Sequence, residues 1–225
     1  MNISDVISRM REIDDELPSD DGVAVFNHLY LTVTERIGAA LEEQQVFEDP
    51  EFMTELDVRF ARLYLDAYDA GDDRRSRAWA PLFEGRRRRG VLPIQFALAG
   101  MNTHIEHDLP VAVVSSCEAM GLSPKHRAVQ RDYQAVNALL ADVESEIRRS
   151  FLDEVQTLVD DQIGPVVHLV SSWKIDKARD VAWVTTETLW SVREVSFLRR
   201  AFLESLSLSV GMGSRLLLTP TGVPV

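Results

Sequence analysis

The chain has 225 residues, 45% of them hydrophobic, which is enough apolar material for one sizeable core. Its net charge of -12 at pH 7 argues against nucleic acids and anionic membranes as partners, because both bind concentrated positive charge. A neutral or cationic small molecule, or a metal ion, meets no such objection.

The cysteine content and the N-terminal segment both bear on the compartment. Cys117 is the only cysteine, so the chain cannot form an intramolecular disulfide, which suits a reducing environment. The segment up to Gly22 is charged and lacks the apolar stretch of a signal peptide, and no apolar run approaches the length of a membrane span. We therefore expect a cytoplasmic protein.

The first predicted elements are two helices with a turn between them. Residues 3–17 have amphipathic spacing, and the turn at 18–22 offers Asp20 or Asp21 as the cap of the next helix. From residue 23 to about 45, apolar side chains recur at intervals of three and four, as in a buried helical stripe. We expect residues 1–21 to form an N-terminal helix and turn outside the core domain.

Two further helices are predicted before the middle of the chain. Asp49 followed by Pro50 is a typical start for a helix that reaches about residue 70 and carries Asp57 and Tyr64 on one row. A basic, tryptophan-containing helix then ends at Gly90. Its arginines at 86–89 invite a nucleic-acid interpretation, but in so acidic a chain we expect a solvated helix end with acidic neighbours.

The central stretch, residues 91–114, is the one around which the chain is organised. It is apolar on nearly every side up to Met101, which predicts a buried helix. His104, His107 and Asp108 then fall within one arc of about 100°, with Asn102 nearly opposite. Pro110 lacks the N–H that a continuing helix needs, so the stretch predicts a kink or helix end inside the molecule.

The last third of the chain continues the helical pattern. A long amphipathic helix is predicted from about Tyr133 past residue 151, and another from about residue 176 to 206. The second of these carries Arg179 and Trp183 on one face, so that a guanidinium and an indole could line a ligand pocket. Residues 207–225 contain the glycines and prolines of a C-terminal arm. The expected fold is all-α, with one compact multi-helix core domain at 22–206 around a buried, kinked central helix.

Several blocks of sequence resemble a largely actinobacterial family catalogued as domain of unknown function 5995. They are NHLY at 27–30, LDVRFA at 56–61, PIQFALAGMNTHIEHDLP at 93–110, KARDVAW at 177–183 and LW at 189–190. The resemblance covers nearly the whole chain and singles out Asn102, His104, His107, Asp108, Arg179 and Trp183. It implies no particular reaction. Thr103 and Glu106 stand where the family has small and amide residues, which alters the charge beside the motif.

The His104-x-x-x-Asp108 spacing places two good metal ligands one helical turn apart, a geometry that suits zinc, manganese or iron. Further ligands would come from His28 and Asp57, with Asp66 as another candidate. This pattern predicts a metal-dependent enzyme that is a hydrolase of a small, partly apolar metabolite. A metal-free version keeps His104 as a general base oriented by Asp108. The assignments are His104, His107 and Asp108 as catalytic, His104, Asp108, His28 and Asp57 as metal ligands, and Asn102, Arg179, Trp183 and Tyr64 as substrate-binding.

An alternative hypothesis gives the same residues structural roles. His104 and His107 would be satisfied core histidines, Asp108 would cap the segment after Pro110, and Asn102 would bond the loosened backbone. The chain would then be a non-catalytic helical module for ligand binding or oligomerisation. Metal content and the effect of replacing His104 distinguish the two hypotheses, and a homo-oligomer is compatible with both.

Overall fold

The computed structural model describes residues 1–43, 46–156 and 173–220, with backbone alone at 142–144, 146–148 and 150–156. This described part is helical and contains no strand, which confirms the all-α prediction. The helices are α1 (Ile3–Glu16), α2 (Gly22–Glu42), α3 (Pro50–Asp69), α4 (Ala80–Gly85), α5 (Pro93–Thr103), α6 (Leu109–Met120), α7 (Arg127–Gln156), α8 (Ile175–Val192) and α9 (Ser196–Leu217), with a π-helical turn at His104–Asp108 between α5 and α6. None of them is long and apolar enough to cross a bilayer.

Side-chain caps fix where the first helices begin. The Asp21 carboxylate accepts a hydrogen bond from the backbone N–H of Val23 at 2.9 Å, and Asp49 accepts one from Phe52 at 3.0 Å. Each bond satisfies an N–H that has no partner within its own helix. Pro50 follows Asp49 at the first helical position, where its missing N–H costs nothing. The predicted starts of α2 and α3 are therefore confirmed.

The central segment continues from α5 through the π-helical turn into α6. The backbone N–H of Leu109 donates to the carbonyl of His104, the five-residue spacing of a π-helix. Pro110 lies in the first turn of α6, where it cannot donate to the carbonyl of Glu106. The expected interruption at Pro110 thus takes the form of a widened turn, and the bend itself stays a prediction.

Neighbouring helices enclose this central segment. Helix α5 packs against α2 and α9, α6 packs against α3 and α8, and the π-helical turn contacts α3, α8 and α9. Close approach requires glycine at Gly100, where a Cβ would overlap the Phe26 ring, and at Gly211, where one would overlap the carbonyl oxygen of Arg77. Helix α1 packs on α2 and α3 and adds Val6, Met10 and Ile13 to the core.

Two predicted helix boundaries differ from the structure. The single helix expected at 176–206 is two helices, separated by a turn in which the N–H of Val195 donates to the carbonyl of Val192 at 3.1 Å. The helix also continues to Leu217 instead of ending near residue 206. Gly211 and Gly213 lie within it, and packing on the Arg77 backbone offsets the weak helical preference of glycine there.

The basic helix expected before Gly90 is also shorter than predicted, because α4 covers only Ala80–Gly85. Two of the arginines after it have the acidic neighbour that was expected from the sequence. The Nε of Arg86 lies 2.7 Å from the buried carboxylate of Asp21, and the Nε of Arg87 lies 3.4 Å from it. These two arginines of the basic run therefore serve an ion pair within the fold.

Candidate functional site

The π-helical turn brings together the three ionisable residues of the central motif. Nδ1 of His104 lies 3.0 Å from one oxygen of Asp108, and Nδ1 of His107 lies 2.7 Å from the other. The indole N–H of Trp79 donates to Asp108 at 2.9 Å. His104 and Asp108 are both only 2% exposed. One buried carboxylate therefore faces three N–H donors, two from its own turn and one from the segment before α4.

These contacts set the protonation of the pair. Burial alone would raise the pKa of Asp108, but hydrogen bonds from His104 and His107 bring it below its ordinary value. Burial lowers the pKa of His104 in spite of its hydrogen bond to Asp108. The favoured state is an ionised Asp108 beside a neutral His104 whose proton is on Nδ1, which leaves Nε2 as an acceptor.

Aromatic rings surround the imidazole of His104. Phe60 stacks on it with ring centroids 3.6 Å apart and an interplanar angle of 6°, and Tyr30 meets it edge-on at 4.3 Å. Three more rings lie within 6.3 Å, those of Phe26, Tyr64 and Trp79. An apolar surround of this kind disfavours the imidazolium and keeps the base neutral.

A cavity adjoins this histidine. Side chains of α2, α3, α7, α8 and the central segment line it. The centres of water molecules can occupy about 80 Å³ of it. Because this volume counts only the positions of the water centres, the cavity can hold several waters or a small molecule. The lining residues that matter for the chemistry are Tyr30, Asp57, Phe60, His104, Tyr133 and Arg179.

Three residues that line the cavity carry buried polar atoms without hydrogen-bond partners. In the described residues, the buried side-chain atoms without a hydrogen bond include Tyr30 Oη, Asp57 Oδ2 and His104 Nε2, and all three residues line the cavity. Burial raises the pKa of Asp57 to about 7 and that of Tyr30 well above its usual value. Buried polar groups are normally paired, so three residues with unpaired polar atoms around one cavity indicate a place for a ligand.

A buried arginine lines the same cavity. Arg179 is 5% exposed, and its Nε donates to Asn137 Oδ1 while its Nη2 donates to the carbonyl of Tyr133, each at 2.5 Å. Its guanidinium carbon lies 4.2 Å from the centroid of the Tyr133 ring. No carboxylate in the described part of the chain forms an ion pair with it, since the adjacent Asp180 pairs with Lys177 at 3.6 Å. Burial lowers the pKa of Arg179, although the charge of Asp180 acts in the opposite direction.

Two other predicted substrate-binding residues lie away from the cavity lining. The side-chain amide of Asn102 points to α9, where it donates to the Ser214 hydroxyl at 3.2 Å and the Val210 carbonyl at 3.4 Å. The Trp183 ring packs on Tyr133 with centroids 4.6 Å apart. Asn102 thus anchors the central segment to α9, on the side opposite His104, and Trp183 supports a residue that lines the cavity.

The remaining predicted residues divide between the core and the surface. Tyr64 is buried in the core and is not among the residues that line the cavity, and its hydroxyl donates to Asn27 Oδ1 at 3.1 Å. The side chain of His28 is 78% exposed and pairs with Asp14 at 3.0 Å. Asp66 is exposed as well. The structure therefore brings Asp57 to the cavity with His104, but it does not bring His28 or Asp66 there.

The predicted metal ligands do not form a cluster. Within the described residues there is no group of three or more His, Cys, Asp or Glu side chains placed to hold a metal ion. Asp108 already has hydrogen bonds on both oxygens, and His104 is its direct neighbour. A donor set of His104, Asp108, His28 and Asp57 does not fit this arrangement, because His28 lies on the surface.

Sequence reasoning missed three contributors to the site. Tyr30 lies on the buried stripe predicted for residues 23–45, and Phe60 is an apolar residue of the next predicted helix. Their contact with His104 depends on how α2 and α3 pack on the central segment. Trp79 donates to a residue 29 positions later in the chain. No local spacing signals such a contact.

Comparison with known proteins gives a family and no activity. A family model described as a family of unknown function, DUF5995, matches residues 3–220. No curated protein and no solved structure matches the chain.

Proposed function

The chain belongs to DUF5995, a family of unknown function, and we propose from its site that it is an enzyme that acts on a small, predominantly apolar molecule with His104 as general base. The observation that carries the proposal is the unpartnered Nε2 of His104, in a residue that lines a cavity while its Nδ1 is held by Asp108. A neutral imidazole oriented by a carboxylate is the arrangement that general-base catalysis uses.

The proposed step is the transfer of one proton to Nε2 of His104. The proton comes from a water molecule or from an activated C–H bond of the bound molecule, and its electron pair stays on that oxygen or carbon as the new nucleophile. The imidazolium that forms is stabilised by the ionised Asp108, which already accepts from Nδ1. With water as the nucleophile, attack on the acyl carbon of an ester or amide forms a C–O bond and a tetrahedral intermediate. Hydrolysis is complete when the bond from that carbon to the alcohol or amine breaks, and the leaving group takes a proton from the His104 imidazolium or from Asp57.

Asp57 supplies the complementary acid. Burial raises its pKa to about 7, so this carboxyl is substantially protonated near neutral pH, while the pKa of His104 is lowered. Both residues line the same cavity. A reaction that removes a proton from one atom and delivers a proton to another needs a neutral base and a protonated acid in the same cavity. His104 and Asp57 supply this pair.

The donor set favours this metal-free version over the metal-dependent one, because Asp108 is committed to His104, His107 and Trp79. We expect protein purified without chelator to contain substoichiometric zinc, manganese and iron. We also expect His104→Ala to leave that content unchanged. Stoichiometric metal that is lost on this substitution would overturn the metal-free version.

A proton-transfer assay tests the role of His104 without knowledge of the natural substrate. Cyclopentanone is a small, mostly apolar ketone of six non-hydrogen atoms, which suits a small cavity with a mostly apolar lining. Its α-protons should exchange in deuterium oxide faster with the protein than in buffer, as followed by NMR. His104→Gln should slow this exchange about 10²-fold or more, the usual contribution of a general base. His126→Gln is the matched control, since His126 is exposed on the loop before α7.

The outcomes separate the competing hypotheses. Exchange that is lost in His104→Gln and kept in His126→Gln supports the general base. Equal exchange in the wild type and His104→Gln contradicts it. If cyclopentanone binds both proteins and neither exchanges its protons, the cavity is a binding site without catalysis, which is the alternative of a helical binding module.

A further inference from the structure

The proposed proton transfer does not use one feature of the cavity, the positive charge of Arg179. The residue lies on α8, is almost fully buried and lines the cavity. A buried guanidinium is costly unless an anion or several acceptors compensate it. Within the described part of the chain no carboxylate pairs with Arg179.

The compensation that the fold provides is partial. A guanidinium has five N–H donors. Arg179 uses one on Asn137 Oδ1 and one on the Tyr133 carbonyl, and the Tyr133 ring lies against the guanidinium carbon at 4.2 Å. Its Nη1 group makes no hydrogen bond to a described residue. Two neutral acceptors and a ring hold the group in place, yet they supply no negative charge.

The rest of the cavity restricts what the anion can be. Most of the lining side chains are aliphatic or aromatic, so the body of the ligand is apolar. Only about 80 Å³ of the cavity is open to the centres of water molecules, so the ligand is small. The net charge of -12 would repel anions from the protein as a whole, so an anion needs a specific cation in the cavity.

We propose that the cavity takes a small carboxylic acid with an apolar body, whose carboxylate binds Arg179 while the body lies among the side chains that include His104. This inference rests on the proposed function for the identity of the cavity as the substrate site. A planar guanidinium with free donors matches a carboxylate in charge and geometry. The proposal thus makes Arg179 a binding residue that positions the molecule for His104.

A matched pair of ligands tests the charge requirement. Pentanoate and pentanamide have the same seven non-hydrogen atoms and differ in charge at neutral pH. Isothermal titration calorimetry should show pentanoate binding at least about tenfold more tightly to the wild type, as expected for a charge-assisted hydrogen bond. Arg179→Met should remove this preference and leave pentanamide binding nearly unchanged. Arg179→Lys should keep part of it.

The comparison of pentanoate and pentanamide on the wild type tests the anion site even if Arg179→Met fails to fold. Equal affinity for pentanoate and pentanamide overturns the anion site and leaves the cavity and His104 as they are. Absence of binding by both ligands overturns the inference together with the cavity on which it rests. The variant His104→Gln tests proton transfer alone. If it binds pentanoate as tightly as the wild type, the anion site at Arg179 stands whether or not His104 is the general base.

Discussion

The Asp57→Asn substitution should change how stability depends on pH. Burial raises the pKa of Asp57 from 3.8 to about 7, so the folded chain keeps this proton where the unfolded chain releases it. The protonated carboxyl contributes its full stability at pH values below 3.8, the pKa of Asp57 in the unfolded chain. This contribution is lost as the pH rises through about 7, its pKa in the folded chain. Each pH unit between the two values costs about 1.4 kcal/mol, so the complete loss is about 4 kcal/mol.

Urea denaturation of both proteins at about pH 5 and about pH 8 measures this effect. The free energy of unfolding of the variant minus that of the wild type should rise by about 2–3 kcal/mol between these conditions. Subtraction removes the contribution of groups that titrate in both proteins, among them His104, whose lowered pKa acts in the opposite direction. Asp66→Asn, exposed on the same helix, is the control and should show no rise. A difference between wild type and Asp57→Asn that does not vary with pH would refute the raised pKa.

Two substitutions test the packing around the central segment. Asp108→Asn should lower the free energy of unfolding by about 3 kcal/mol, because an amide nitrogen cannot accept the hydrogen bonds that a carboxylate oxygen accepts. An unchanged denaturation midpoint would contradict those bonds. Gly211→Ala should cost about 1–3 kcal/mol because its methyl group meets the Arg77 carbonyl, whereas Gly213→Ala, whose methyl group makes only an ordinary contact, should not destabilise. Equal thermal unfolding of the two alanine variants would refute the close approach.

Local sequence signals predicted the elements and part of the site. Asp21 and Asp49 are caps that bond within three residues, so the starts of α2 and α3 could be read directly. The four-residue spacing of His104 and Asp108 likewise placed both on one face, and the structure has their side chains in contact. Such relations depend on the geometry of one helix and need no knowledge of its neighbours.

Relations between helices could not be predicted in the same way. Helix α2 has buried residues around most of its circumference, so the sequence alone did not show that His28 lies on its exposed side. Trp79 reaches Asp108 from a distant segment, and α9 continues through Gly211, which lies close against the Arg77 backbone. Tertiary packing decides these features, and neither periodicity nor propensity encodes it.

Nitrogen NMR of His104 in protein labelled at its histidine side chains tests the central claim most directly. The proposed general base requires a neutral imidazole near pH 7, with the proton on Nδ1 toward Asp108 and an unprotonated Nε2. Resonances of that tautomer, absent in His104→Gln and perturbed when cyclopentanone is added, are the expected result. A proton on Nε2, or an imidazolium at this pH, would contradict the assignment of His104 as the base.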